Sequence, residues 1–313
     1  MKIKLPKIYK SNFDILYSKY VSSKPKKEDQ EVSSHWSKHL SNTLIRQINE
    51  SDYVYIKPDG FDDYKINNII NKLINIPEYI YLSKYKNTLS RVVYNKMHEA
   101  IKLQGRILSY NCMKTALTLN YILSHKIDLN KFKVSIIGDG NGFLGILLKL
   151  LFPNIKIVHI NLGKILLFDY LFTAKSQLFE ELNTVYTKSD YKKNSDCSFV
   201  PAEKIFDISI DDIDFFFNIA SMGEMNPIII DNYFEFMRKQ NTKDTYFYCC
   251  NRISKKLPDG TLTKFDAYQW SDDDKIIFDE KCNWYVYAPM SKPPFLKKFD
   301  GEFKHKLVIL KKY

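Results

Sequence analysis

The run Val134-Ser135-Ile136-Ile137-Gly138-Asp139-Gly140-Asn141-Gly142-Phe143-Leu144-Gly145 constrains the fold of this chain more than any other stretch. Its first four residues, apolar or small, read as a buried strand, and glycines then end it abruptly. Phe143 to Phe152 follows as an almost wholly apolar helix. A strand that stops in a glycine-rich turn at a helix start offers unpaired backbone N–H groups and the positive end of a helix dipole. Glycine is needed there because the turn requires unusual dihedrals and because a ligand must come close to bare backbone. The expectation is a nucleotide-like cofactor at the carboxyl end of the first strand of an α/β sheet.

Two cofactors compete for this turn. Read as Gly140-x-Gly142-x-x-Gly145, it fits the dinucleotide fingerprint, which asks for an acidic residue about 20 positions on. Read as Gly138-x-Gly140-x-Gly142, it fits the looser turn of S-adenosylmethionine (SAM) methyltransferases. Gly138 directly ends the strand, so the first two glycines stand at its tip, which favours SAM.

At 313 residues the length suggests about two domains. A hydrophobic share of 45%, with 15% aromatic, excludes a disordered chain. No run approaches the roughly 18 apolar residues of a membrane helix, Lys149 and Asp169 breaking the two best. The N-terminus lacks the apolar core of a signal peptide, so no transmembrane segment and a cytoplasmic location are expected. Cys112, Cys197, Cys249, Cys250 and Cys282 form no CxxC pair, which suits a reducing compartment and small core residues. The net charge of +11 rests on lysine; the arginines are only Arg46, Arg91, Arg106, Arg238 and Arg252. Arginine is the residue of bidentate phosphate and base recognition, so no nucleic-acid partner is expected. The basic run from Lys2 to Lys27 reads as a solvated, partly mobile arm, with a peripheral contact to an anionic substrate or membrane surface as its functional rival.

Residues 1–127 read as a helical N-terminal region and 128–313 as the cofactor-binding domain. Ile66, Ile69, Ile70 and Leu73 recur at helical spacing, as do Leu108, Cys112, Leu117 and Tyr121, and Pro58-Asp59-Gly60 reads as a turn. From Val134 strands alternate with helices, as in a doubly wound sheet. Strands are expected at Val134–Ile137, Ile155–Ile160, Cys197–Val200, Ile213–Asn218 and Thr245–Cys250, with helices at Phe143–Phe152, Leu162–Leu182 and Pro227–Gln240. Trp284–Ala288 and Lys304–Lys311 read as a terminal strand pair, which suits a SAM methyltransferase sheet and not a dinucleotide domain.

At the tip of the second strand Asn161, followed by Leu162, holds the place where an acidic side chain normally grips ribose hydroxyls. The amide can still accept one hydroxyl bond and donate another, though without charge assistance; its bland role is to cap the helix that follows. Pro201 after the third strand and Asn218 closing the fourth are counted with Gly138, Asp139, Gly140 and Gly142 as cofactor-binding. Beyond the fourth strand the chain reads Asn218-Ile219-Ala220-Ser221-Met222-Gly223-Glu224-Met225-Asn226. Asn226-Pro227-Ile228 is not the Asn/Asp-Pro-Pro-aromatic tetrad of base-methylating enzymes. Glu224, the one carboxylate in this turn, is the candidate general base for a hydroxyl that attacks an electrophilic methyl group; its bland role is to satisfy a helix dipole.

These residues together resemble the family of sugar O-methyltransferases, class I SAM-dependent enzymes of surface-glycan gene sets. The resemblance rests on Ile137-Gly138-Asp139-Gly140-Asn141-Gly142, on Ile160-Asn161-Leu162 where the family prefers Asp-Leu-Pro, and on the phrase from Asn218 to Met225. Tyr233, Phe247-Tyr248-x-x-Asn251-Arg252 and, less closely, Ser34-His35-Trp36 extend it. It covers the C-terminal two-thirds well and departs at Asn161 and Gly163. It implies a Rossmann-like sheet with an antiparallel C-terminal hairpin, SAM as cofactor, and a sugar, nucleotide-sugar or glycan acceptor. Tyr233, Asn251 and Arg252 are then expected to face the acceptor, Arg252 holding a phosphate or uronic carboxylate. Tyr268, Trp270, Trp284, Tyr285 and Tyr287 could offer flat surfaces to sugar rings, although packing is their commoner use. No metal site is expected: His35 and His39 lack a third ligand, and Asp272-Asp273-Asp274 reads as a solvated loop. The rival functions are an NAD-dependent sugar oxidoreductase and a non-enzymatic glycan-binding protein with a decayed cofactor site.

Overall fold

In the computed structural model, residues 1–21, 32–48, 52–57, 67–289 and 296–313 are described. The chain starts with β1 (Lys2–Lys4), α1 (Lys10–Tyr20), α2 (Ser34–Asn42), β2 (Leu44–Gln47) and β3 (Tyr53–Lys57). These strands form a small antiparallel sheet in the order β1-β3-β2. The N-terminal region is therefore not purely helical. Ile45, Val54 and Ile56 are buried while Leu44 and Tyr53 are exposed, a period of two that outranks the helical pattern around it. The basic start is also no loose arm. Phe13 and Leu16 of α1 are fully buried, and Asn12 Nδ2 donates to Leu182 O at 2.7 Å. Positions 22–27 of that run, the Pro58-Asp59-Gly60 turn and Ile66 lie outside the described residues.

Four helices follow: α3 (Ile69–Ile74), α4 (Ile76–Ser83), α5 (Arg91–Gln104) and α6 (Tyr110–Ser124). Ser90 and Ser109 cap α5 and α6 by accepting from Val93 N and Cys112 N. The helical spacing of Ile69, Ile70 and Leu73 is real, yet these side chains are 75%, 64% and 62% exposed, so they face outward.

The second half comprises β4 (Lys133–Ile137), α7 (Phe143–Leu151), β5 (Lys156–Asn161), α8 (Gly163–Ser176), β6 (Leu182–Thr184), β7 (Cys197–Pro201), α9 (Ile205–Ile208) and β8 (Phe215–Ile219). It ends with α10 (Pro227–Arg238), β9 (Thr245–Arg252), β10 (Ser254–Lys256), β11 (Leu262–Lys264), β12 (Lys275–Lys281), β13 (Tyr287–Pro289), β14 (Leu296–Lys298) and β15 (Phe303–Leu310). One eight-stranded sheet runs β12-β15-β9-β8-β4-β5-β7-β6. Its pairs from β6 to β9 are parallel, and β15 runs antiparallel between β9 and β12. This is the Rossmann-like, doubly wound sheet with a reversed C-terminal hairpin. The long helix expected over Leu162–Leu182 stops at Ser176, where Gln177 turns left-handed at φ 53°, and an extra edge strand, β6, takes the rest.

The partner of the last strand is corrected too. Trp284–Ala288 does not join the main sheet; Tyr287–Pro289 pairs with β14 in a separate ribbon, and β12 takes the edge. Lys-Ile-Ile-Phe-Asp-Glu-Lys is mostly exposed, an edge strand blunted by charge, so it shows no buried run to detect.

Side chains alternate across the sheet. Phe215 and Phe217 join one apolar layer with α5 to α8, and Phe216 joins the other with Phe234 and Phe236 of α10. The first layer is continuous from Phe13 through Met97 to Leu171, across residue 127. No helix among the described residues is long and apolar enough to cross a membrane.

Candidate active site

Strand order reverses at β4, with β5 on one side and β8 on the other, and such a switch point opens a crevice at the carboxyl ends of the strands. A cavity of about 390 Å³ lies there, within the range of small-molecule sites. Gly138, Asp139 and Gly140 form one wall, with φ of +79° at both Gly138 and Gly140. A Cβ at Gly138 would also run into the Ser221 side chain. Glycine is therefore compulsory at that strand tip.

Asn161 and Leu162 line the cavity as expected. The Asn161 amide is partly committed, however: Nδ2 donates to Asp169 Oδ2 at 2.8 Å, and Oδ1 accepts from Leu162 N at 2.9 Å. Gly163, which stands where the resemblance prefers proline, lies directly under the Tyr20 ring, leaving no room for a side chain.

Gly142, Pro201 and Asn218 stand behind the wall. Gly142 is the N-cap of α7. Pro201 ends β7, and the neighbouring Ala202 and Glu203 reach the cavity instead. Asn218 is fully buried and ties the β4 and β8 tips together: Nδ2 donates to Ile137 O and Ser221 Oγ, while Oδ1 accepts from Met222 N and Asn251 Nδ2. Ala220 beside it holds a left-handed φ of 58°. A non-glycine residue strained at a strand tip marks a turn that the surroundings over-determine.

Glu224 lines the cavity and meets Lys255 and His35. Lys255 Nζ donates to Oε1 at 2.5 Å, and His35 Nε2 lies 3.3 Å from Oε2. Burial alone would raise the Glu224 pKa, but the His35 hydrogen bond and the Lys255 charge outweigh it and hold the carboxyl down at about 2. His35 arrives on α2, which Ser33 caps and which two further bonds anchor: Lys164 Nζ to Leu40 O and Asp259 N to Ser34 Oγ. Trp36 of the same helix lines the cavity.

Tyr233, Asn251 and Arg252 also line the cavity. Asn251 is buried and spends its amide on Gly223 N, Asn218 Oδ1 and Cys249 Sγ, so it shapes the turn that carries Glu224. The Arg252 guanidinium stands over Phe299 at 4.9 Å, and Lys114 stands over Tyr285 at 4.4 Å, both cations on the cavity wall. Arg106, Lys114, Glu203, Phe299 and Phe303 are lining residues that sequence reasoning missed. Of the aromatic candidates, Tyr285 and no other lines it; Tyr268 and Trp270 pack on Phe234, and Trp284 on His305.

The acidic triplet is not a solvated loop throughout, because its last residue is buried. Asp274 is buried in a two-pronged pair with Arg238, at 2.7 and 2.9 Å. Beneath the glycine turn, Asp139 accepts from Leu144 N and Gly145 N, and Asp169 from Gly142 N. Burial raises Asp139 to about 6 against these donors, pushes Asp169 well up with help from the Asp139 charge, and presses His159 down to about 3.

No protein-family model and no curated protein matches this sequence. Solved structures with a distant likeness include a Thermoplasma acidophilum protein, 15% identical at TM-score 0.44 over 72% of this chain and 99% of its own. M. capricolum TrmK, solved with S-adenosylhomocysteine, is 12% identical at TM-score 0.37 over 61% of this chain and 68% of its own. A SAM-dependent methyltransferase from Aquifex aeolicus is 13% identical at TM-score 0.36 over 60% and 87%. At such values the chemistry has to be argued from this chain's own residues.

Proposed function

We propose that this chain is a SAM-dependent O-methyltransferase acting on a hydroxyl of a sugar, nucleotide sugar or glycan. The observation that carries the reading is the glycine turn at the β4 tip, bare backbone at positive φ facing a cavity that continues to Glu224. SAM supplies an electrophilic sulfonium methyl when bound. Gly138 and Gly140 give it backbone clearance, and Asn161 and Leu162 stand where a ribose is gripped. The reversed C-terminal hairpin and the absence of an acid at Asn161 speak against the NAD reading.

Glu224 serves as the catalytic carboxylate in partnership with His35. Bound SAM would supply the methyl group to the acceptor oxygen, and the Glu224–His35 pair would take up the proton that the hydroxyl loses. Glu224, held near pKa 2, is a weak base by itself, and His35 stands 3.3 Å from its Oε2, close enough to relay the proton. Lys255 keeps the carboxylate ionised and oriented. Most of the remaining gain comes from positioning. Arg252 and Lys114, each backed by an aromatic ring, favour an acceptor with an anionic group beside its hydroxyls.

The test is release of S-adenosylhomocysteine across acceptors: nucleotide sugars, uronic acids and glycan fragments against RNA and amines. Turnover with a sugar hydroxyl is expected. Methylation of RNA or an amine instead would overturn the acceptor.

A further inference from the structure

Asp139, His159 and Asp169 each offer one ligand atom, the three atoms lying within 4.8 Å of one another. They come from three elements: the glycine turn, β5 and α8. The Asp139 side chain is 6% exposed, and His159 and Asp169 are fully buried. Neither ring nitrogen of His159 has a hydrogen-bond partner, and Nδ1 faces Asp139 Oδ2 at 3.9 Å. The ring is held in place by stacking on Phe199, at 5.1 Å and 6°. An idle buried imidazole beside two carboxylates is costly as it stands, because buried polar groups are normally paired.

The two carboxyls are buried side by side as well. The carboxylate oxygens accept from Leu144 N and Gly145 N at Asp139 and from Gly142 N and Asn161 Nδ2 at Asp169. Those donors are dipoles. The Arg106 guanidinium acts on Asp139 and also donates from Nη1 to Gln104 Oε1 at 3.0 Å.

We propose that Asp139, His159 and Asp169 form a buried site for a divalent transition ion of the zinc type, which clamps the glycine turn to β5 and α8. One imidazole nitrogen and two carboxylates match zinc, which takes mixed N/O ligands at low coordination number. Calcium and magnesium are disfavoured, since both want about six or more oxygens. The surrounding N–H groups then act as the outer shell that orients ligating carboxylates. The site also accounts for asparagine at the β5 tip: an acid at Asn161 would set a third carboxyl against Asp169, whereas the amide donates to it. The ion's role is structural, and the proposal does not depend on the methyltransferase reading.

The test is a metal count on the purified full-length chain. The protein is stripped with a chelator, equilibrated separately with zinc, manganese or magnesium, and desalted before elemental analysis. About one zinc per chain is expected, with a rise in Tm; Asp169→Asn and His159→Gln abolish both. X-ray absorption at the zinc edge of the wild type covers the case in which the variants fail to fold. It should show one imidazole nitrogen and otherwise oxygen at about 2.0–2.2 Å. No zinc above a desalted control overturns the site. So does zinc retained undiminished by Asp169→Asn, or a shell with sulfur or two imidazoles, which would point to the cysteines or to His35 and His39.

Discussion

Around the glycine turn the cavity wall comes from one stretch of chain, Ile136 to Leu144, with Asn161 and Leu162 added from the next strand. A second part of the wall gathers Trp36, Lys114, Glu224, Arg252, Tyr285 and Phe299 from places scattered along the sequence. The first wall offers backbone, and backbone geometry is dictated locally by glycine. The second offers charges and rings, which only the finished fold assembles. A cofactor common to many enzymes can be held by the first kind of wall, while acceptor choice belongs to the second. The two walls should therefore fail in different ways when altered.

The largest effect is expected at the meeting point of the walls. Glu224→Gln keeps shape but removes the proton acceptor, and the rate with a cognate acceptor should fall about 10²–10⁴-fold with SAM affinity little changed. A loss of less than about tenfold, against that range, would take Glu224 out of the proton transfer. Away from both walls, Arg238→Ala strands the buried Asp274 carboxylate and should cost about 3–5 kcal/mol in chemical denaturation. If the folded fraction of that variant binds SAM normally, stability and site are separable. At the first wall, Gly140→Val forces a branched residue to φ +79°, a strain of about 1–3 kcal/mol, and fills space facing the cofactor. SAM binding should vanish in a protein that circular dichroism shows to be folded.

A smaller effect appears in acid. The Glu224 pKa is depressed from 4.5 to about 2, so its pairing with His35 and Lys255 stabilises the fold fully above pH 4.5. That share is lost as pH falls from 4.5 towards 2. Denaturation measured against pH should be shallower over that window in Glu224→Gln. The smallest effect is expected at Ile69→Ser on α3. Its side chain is 75% exposed, so the change should stay within about 0.5 kcal/mol despite the helical spacing.

Much of the fold is readable in the chain because buried parallel strands leave continuous apolar runs, as at Val134–Ile137 and Phe215–Phe217. Edge strands do not: Lys275–Lys281 is charged and exposed, and Leu182–Thr184 is too short to carry a period. The β2–β3 pair hid inside a region that reads as helical. At the site, Gly138, Gly140 and Glu224 are legible from local turns. Phe299 and Lys114 are not, since nothing in their neighbourhoods distinguishes them from surface or core. Asp139, His159 and Asp169 lie too far apart in sequence for metal-ligand spacing to bring them to notice. His35 is intermediate: it stands in a motif-like Ser34-His35-Trp36, but only the approach of α2 to the β8 tip gives it a partner.

The claim on which the rest depends is that the glycine turn holds SAM. Isothermal titration of the wild-type chain with SAM, S-adenosylhomocysteine and NAD tests it directly. The account predicts saturable binding of the first two at one site per chain and none of NAD. Binding of NAD alone would contradict it in favour of an oxidoreductase, and binding of none of the three would leave a protein whose cofactor cavity no longer serves a cofactor.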